Sequence, residues 1–249
     1  MNRRNVAYLV ALRLKFEKTL FRAFKKLYIK QGKQIAKQYE LNGIDGAIGY
    51  INQSDLEVQN LMRSFYEKSI GQVALAQLKN MIRKQQKKNK EEFPESSRFV
   101  MLSQEWIDQN VLSQSDLITG TSRSIVGKII NKGIDDGIGE KPIAKNIRDT
   151  FSGSIATHRA RTIARTETGN ASSHAQNLGA IESGLDFRKE WIPISDDATR
   201  DFHIGISPVG MNEDFIVNGE RMAHPNDPRG SAKNVINCRC VCGYDPILD

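Results

Sequence analysis

Every cysteine of the chain falls within five residues: Cys238, Cys240 and Cys242 alternate in NVINCRCVCGY, Asn234–Tyr244. Thiolate and imidazole are preferred zinc ligands, and a Cys-x-Cys step on an extended segment puts both sulfurs on one face, with alpha carbons ~6–7 Å apart. His203, in WIPISDDATRDFHIGI, and His224, in NGERMAHPNDPRGS, would complete a four-ligand set with Cys238 and Cys240. The cofactor these residues admit is a structural zinc. The simpler reading packs reduced thiols as small hydrophobes, with a His–backbone hydrogen bond beside them. A Cys238–Cys240 disulfide is disfavoured because neighbours on one strand face do not meet its geometry. A Cys–His nucleophile lacks a third, orienting group identifiable from spacing.

Other residues carry weaker signals. HPNDPRGSAKNVINC has the look of an HNH-type nuclease, in which His activates water beside a metal, but Ala223 stands where the usual acidic residue would precede His224. Arg165 and Glu167 have an Arg-x-Glu spacing known from ADP-ribosyltransferases; on a helix it is more often an ion pair or a packing element. Asp196, Asp197 and Asp201 with Arg200 could form a hard-cation cluster, against the ordinary alternative of a solvated, internally paired loop. We expect Arg200 and His203 to brace this region by bonding the acidic loop or backbone carbonyls, and Trp191 to anchor a core.

The elements that position these residues are mostly helical. From Val6 to about Glu40, Leu9, Leu12, Phe16, Leu20, Phe24 and Leu27 recur at steps of three and four, while Arg13, Lys15, Lys18, Arg22, Lys25, Lys26 and Lys30 cover much of the remaining surface. The glycines of LNGIDGAIG should break this helix. A second pattern, Ser54 to Lys90, carries Val58, Leu61, Phe65, Leu75, Leu78 and Ile82 and ends in RKQQKKNKEEFPESS, which reads as a linker. Short helices are expected over Gln104–Asn110, over Ser115–Lys132 with Gly133 as its cap, and in KPIAKNIRDTF. A proline-free run from Ser154 to Gly184 has Ala160, Ala164, Ala171, Ala175 and Ala180 for close packing. FRKEWIPIS and EDFIVNGERM read as strands. The expected class is α+β: a basic helical arm or domain over 1–95, a helical connecting region over 96–153 and a small mixed α+β domain over 154–249.

Charge divides along the chain. Residues 1–90 hold 19 Lys+Arg against 6 Asp+Glu, a balance of +13, and the rest balances at −6. A basic first half suggests a polyanion, nucleic acid being the commonest, and phosphate contact by lysine and arginine would be salt-dependent and blind to sequence. An acidic protein surface or a membrane surface is the competing partner for this face. No apolar run approaches the roughly 20 residues of a membrane span. Three clustered cysteines cannot staple distant segments, which fits a reducing, intracellular compartment.

The ordered set Arg165, Thr166, Glu167, Gly184, Trp191, Asp196 or Asp197, Arg200, His203, Pro225, Asp227, Asn237, Cys238, Arg239 and Cys240 resembles the Mu F-like phage head morphogenesis family, the minor capsid or minor head proteins. The family's common Asp-Gly after the His is here HIGISPVGMNEDF, and residues 1 to about 115 match only in being helical. The resemblance implies motif positions at Arg165, Glu167, Trp191, Asp197, Arg200, Asp227, Asn237 and Arg239. It also implies a non-enzymatic, portal-associated protein of the virion head or procapsid, assembled in the host bacterial cytoplasm and acting in assembly, DNA packaging or delivery. Its expected partners are the portal, the scaffold or major capsid protein, and packaged DNA held without sequence preference. A metal-dependent, HNH-like nuclease is the alternative.

Overall fold

The structure is a computed structural model that describes residues 3–85, 97–184, 186–194 and 196–247. Four helices come first: α1 (Arg3–Gln85), α2 (Ser97–Asp135), α3 (Glu140–Ser152) and α4 (Ser154–Ile181). Then follow β1 (Phe187–Ile192), a 3-10 turn (Asp201–His203), β2 (Val209–Gly210), β3 (Phe215–Val217), β4 (Glu220–Met222), the short helix α5 (Ala232–Val235) and β5 (Val241–Pro246). The α+β class is as expected.

Two helical boundaries differ from the sequence reading. The glycine-rich stretch after Leu41 is not a loop: only Asn42 and Gly43 leave helical geometry, Gly43 with φ +62°, and the helix resumes at once. Continuation buries Ala47, Ile51 and Val58, which repays the kink. The two short helices expected over 104–132 are one, α2, because Ser115 and Thr119 turn inward and are satisfied there, Ser115 by the Leu112 carbonyl one turn back and Thr119 by Asp55 of α1. Gly133 therefore lies within α2, where a β-carbon would strike the Ile143 side chain, and the left-handed residue after the helix is Gly137. Of the expected linker, residues 86–96 lie outside the described residues.

The described residues form two compact units. One draws on Leu20–Phe65 and Glu105–Arg161. Its core holds Phe24, Tyr28, Ile35, Ile51, Met62, Val126, Ile147 and Phe151, with Tyr28 edge-on to Phe151 and the Arg159 guanidinium 4.6 Å above the Tyr28 ring.

The other unit draws on Met1–Thr19, Tyr66–Gln104 and Thr162–Asp249. Here α4 buries Ala164, Ala171, Ala175 and Ala180, and Gly179 lies so close to the Ala74 carbonyl that a β-carbon would come within 2.8 Å of it. That approach sets the face of the second half of α1. Val73, Ala74, Gln77 and Met81 are buried and Leu75 is exposed, one step round from the Leu75, Leu78, Ile82 face that periodicity predicts. Gly184, at φ +67°, ends α4.

Beyond it β1 is the centre of an antiparallel sheet of order β2-β1-β5, and β3 pairs with β4 through an Asn218-Gly219 turn with both φ positive. A core of Phe187, Trp191, Phe215, Val217, Met222, Val235, Tyr244 and all three cysteines fills the space between sheet and hairpin.

Candidate functional site

Cys238 and Cys240 stand on an irregular segment between α5 and β5, and Cys242 is within β5 opposite Trp191. Asn237, at φ +60°, makes the turn that aims the segment, a conformation asparagine tolerates. The Nδ1 atom of His203 lies 3.7 Å from Cys238 Sγ and 3.5 Å from Cys240 Sγ, and these three ligand atoms fall within 4.8 Å of one another. All three side chains are buried. The His203 ring is held edge-on by Trp191 on one side and Phe202 on the other, at centroid distances of 5.3 and 5.1 Å. The hydrogen bond between the two thiols lowers the first ionisation of the pair, at Cys238, and the same bond together with burial raises the second, at Cys240.

The backbone of this segment is fixed from several sides. Arg13 of α1, 5% exposed, donates to the carbonyls of Cys238 (2.7 Å) and Cys240 (3.1 Å) and more weakly to that of Arg239 (3.5 Å). Burial lowers its pKa, and the neighbouring thiols and Glu17 offset part of that. Asn226 donates to the carbonyls of Val235 and Cys238, and the Asn237 amide donates to Thr166 of α4. Arg200 donates to the Ile236 carbonyl at 2.5 Å. Arg239 forms a two-pronged ion pair with Asp196. Asp196 is thus the carboxylate of that loop that engages Arg239, and Asp197 is exposed.

The remaining motif residues brace neighbouring elements. Arg165 pairs with Glu17 at 3.3 Å. Glu167, buried, accepts a 2.6 Å hydrogen bond from Tyr66, and burial raises its pKa to about 7 despite that bond. Asp227 accepts from the Ala223 amide and from Arg229, whose bonds outweigh burial and hold it below the usual carboxylate range. Trp191 is a core residue.

Two candidates from the sequence stand elsewhere. His224 is not in the His203–Cys238–Cys240 group: its ring faces that of His174 at 6.4 Å, its Nδ1 lies 3.1 Å from the Pro225 carbonyl, and burial lowers its pKa. In HPNDPRGSAKNVINC, His224 is buried and Asp227 is engaged by Arg229. Arg13 is the second displaced candidate. It is a buried brace rather than a member of the exposed basic face, on which Lys15, Lys18, Arg22 and Lys26 are exposed, Lys25 half-buried and Lys30 paired with Glu57 at 2.7 Å. Its place was legible, since position 13 is four after Leu9 and three before Phe16, on the apolar face. Thr166 acquires its role from a contact distant in sequence, with Asn237, and Asn226 from the irregular fold of its own segment, neither of which a periodic pattern encodes.

Buried thiols and an imidazole thus meet within the compact unit that holds the sheet. The model of the family described as Phage Mu protein F like protein matches residues 124–243. Across that span the chain is similar to this family, and the likeness suggests a role in phage head morphogenesis. The chain is also similar to an uncharacterised protein of Bacillus subtilis (strain 168), YqbB, at 27% identity over 150 residues, covering 58% of this chain and 48% of YqbB. The chain thus spans about half the length of that relative. No solved structure matches it.

Proposed function

We propose that the protein is a minor head protein that joins the portal during procapsid assembly and takes part in packaging or delivery of DNA, within the virion head or procapsid formed in the host cytoplasm. The observation that carries this reading is the family match over residues 124–243. The partners are the portal and, secondarily, scaffold or major capsid protein. The exposed cations Lys15, Lys18, Arg22 and Lys26 support a further contact, with packaged DNA, of the sequence-blind kind that phosphate neutralisation gives. Among the described residues no helix is long and apolar enough to cross a membrane.

The test is co-expression with the portal protein encoded by the same phage, followed by gradient sedimentation. Co-migration with the portal ring at a fixed stoichiometry is expected. Separate migration at every input ratio would overturn the portal reading.

A further inference from the structure

We propose that His203, Cys238 and Cys240 bind one zinc ion, His203 through Nδ1, with the fourth coordination position open to a small pocket. Three observations lead there. First, the donor set is of the right chemistry, two thiols and an imidazole, and among the described residues no other Cys, His, Asp or Glu joins this group. Second, the spacing fits the ion. Bonds of ~2.3 Å to sulfur and ~2.05 Å to nitrogen at the tetrahedral angle place S and N about 3.6 Å apart, and the sulfurs here stand 3.7 and 3.5 Å from Nδ1. Third, the Nδ1 side of the imidazole is poorly served without a metal: the ring is 1% exposed and Nδ1 faces the two sulfurs, weak hydrogen-bond partners. With the proton on Nε2, the Nδ1 lone pair is free to coordinate.

The surroundings suit a bound ion. Two thiolates cancel the charge of Zn2+, so the centre would be neutral within the core, and any thiol proton present is released on binding. Arg13 and Asn226 fix the backbone carbonyls of the ligand residues rather than competing for the sulfurs. The pocket beside the three ligands is lined by Ile194, Ala198, Thr199, Arg200, Asn237 and Arg239. These lining side chains supply neither carboxylate nor a further thiol, which leaves the fourth position for an exogenous ligand such as water. The site differs from the four-residue set read from the sequence in that His224 is not part of it.

The test uses the full chain without a histidine tag, purified with thiols reduced. Zinc is counted by mass spectrometry, and cobalt(II) is then used as a spectroscopic probe. About one zinc per chain is expected, with cobalt giving the intense visible bands of a tetrahedral site and a thiolate charge-transfer band. Cys238→Ser, Cys240→Ser and His203→Ala should each reduce zinc at least tenfold, and Cys242→Ser and His224→Asn should retain it. Folded wild-type protein that takes up less than about a tenth of an equivalent and shows no charge-transfer band would overturn the site, whatever the variants do. Loss of zinc in a folded His224→Asn or Cys242→Ser protein would overturn the ligand assignment.

Discussion

Arg13 shows how one residue can be misread when charge is counted before position. Lysine and arginine rarely bury, so its charge groups it with the DNA-facing cations. Yet three backbone carbonyls around the cysteines depend on its guanidinium. Arg13→Met should destabilise this unit by about 3 kcal/mol in chemical denaturation, since buried carbonyls would lose a charged donor. It should also expose Cys238 and Cys240 to thiol reagents. Unchanged stability and protected thiols would show that the brace is dispensable. Glu167 gives a pH dependence. Its folded pKa of about 7 exceeds the ordinary value of 4.5, so the folded state holds the proton more tightly. The stabilising effect is full below pH 4.5 and is lost as pH rises through 7. Glu167→Gln, which can still accept from Tyr66, should match wild type near pH 5 and gain on the order of 2–3 kcal/mol near pH 8. Equal behaviour at both values would mean Glu167 is ionised without penalty. Its burial was not readable from Arg-Thr-Glu alone, because Tyr66 is about a hundred residues away.

At the scale of elements, the sequence was informative wherever one periodicity ruled. β1 and the alanine stripe of α4 appear where alternation and small residues placed them, whereas EDFIVNGERM, read as a strand, is the β3–β4 hairpin turning at Asn218-Gly219, and β2 and β5 were not read as strands. The sequence misled at Gly43 and between Asn110 and Ser115, where an expected break was outweighed by buried residues on both sides, and at Leu75, where the closest-packing partner rather than the apolar count set the face. Glycines of α2 and α4 make this measurable. Gly127 has open space around it, so Gly127→Ala should stabilise by up to ~1 kcal/mol through helix propensity. Gly179 faces the Ala74 carbonyl, so Gly179→Ala should instead cost about 1–3 kcal/mol in thermal or chemical unfolding. Similar effects at both positions would contradict the close α1–α4 approach.

For the whole molecule, the composition of the two units could not be read along the chain. Each gathers segments far apart in sequence, and α1 contributes to both, so linkers and charge shifts do not mark their edges. The charge asymmetry remains the feature with a functional consequence. Duplex DNA should bind with little difference between unrelated sequences, and replacing Lys15, Lys18, Arg22 and Lys26 by glutamine should flatten the plot of log affinity against log salt by up to about 3–4. An unchanged slope, measured by fluorescence anisotropy, would remove these cations from the contact.

A place in the phage head, the proposed role of this chain, is decided by particle composition. Procapsids and mature heads of the phage that encodes it can be purified and every structural protein quantified by mass spectrometry. The account predicts this chain at a low, fixed copy number relative to the major capsid protein. Its absence from both particles, with other head proteins present, would contradict it.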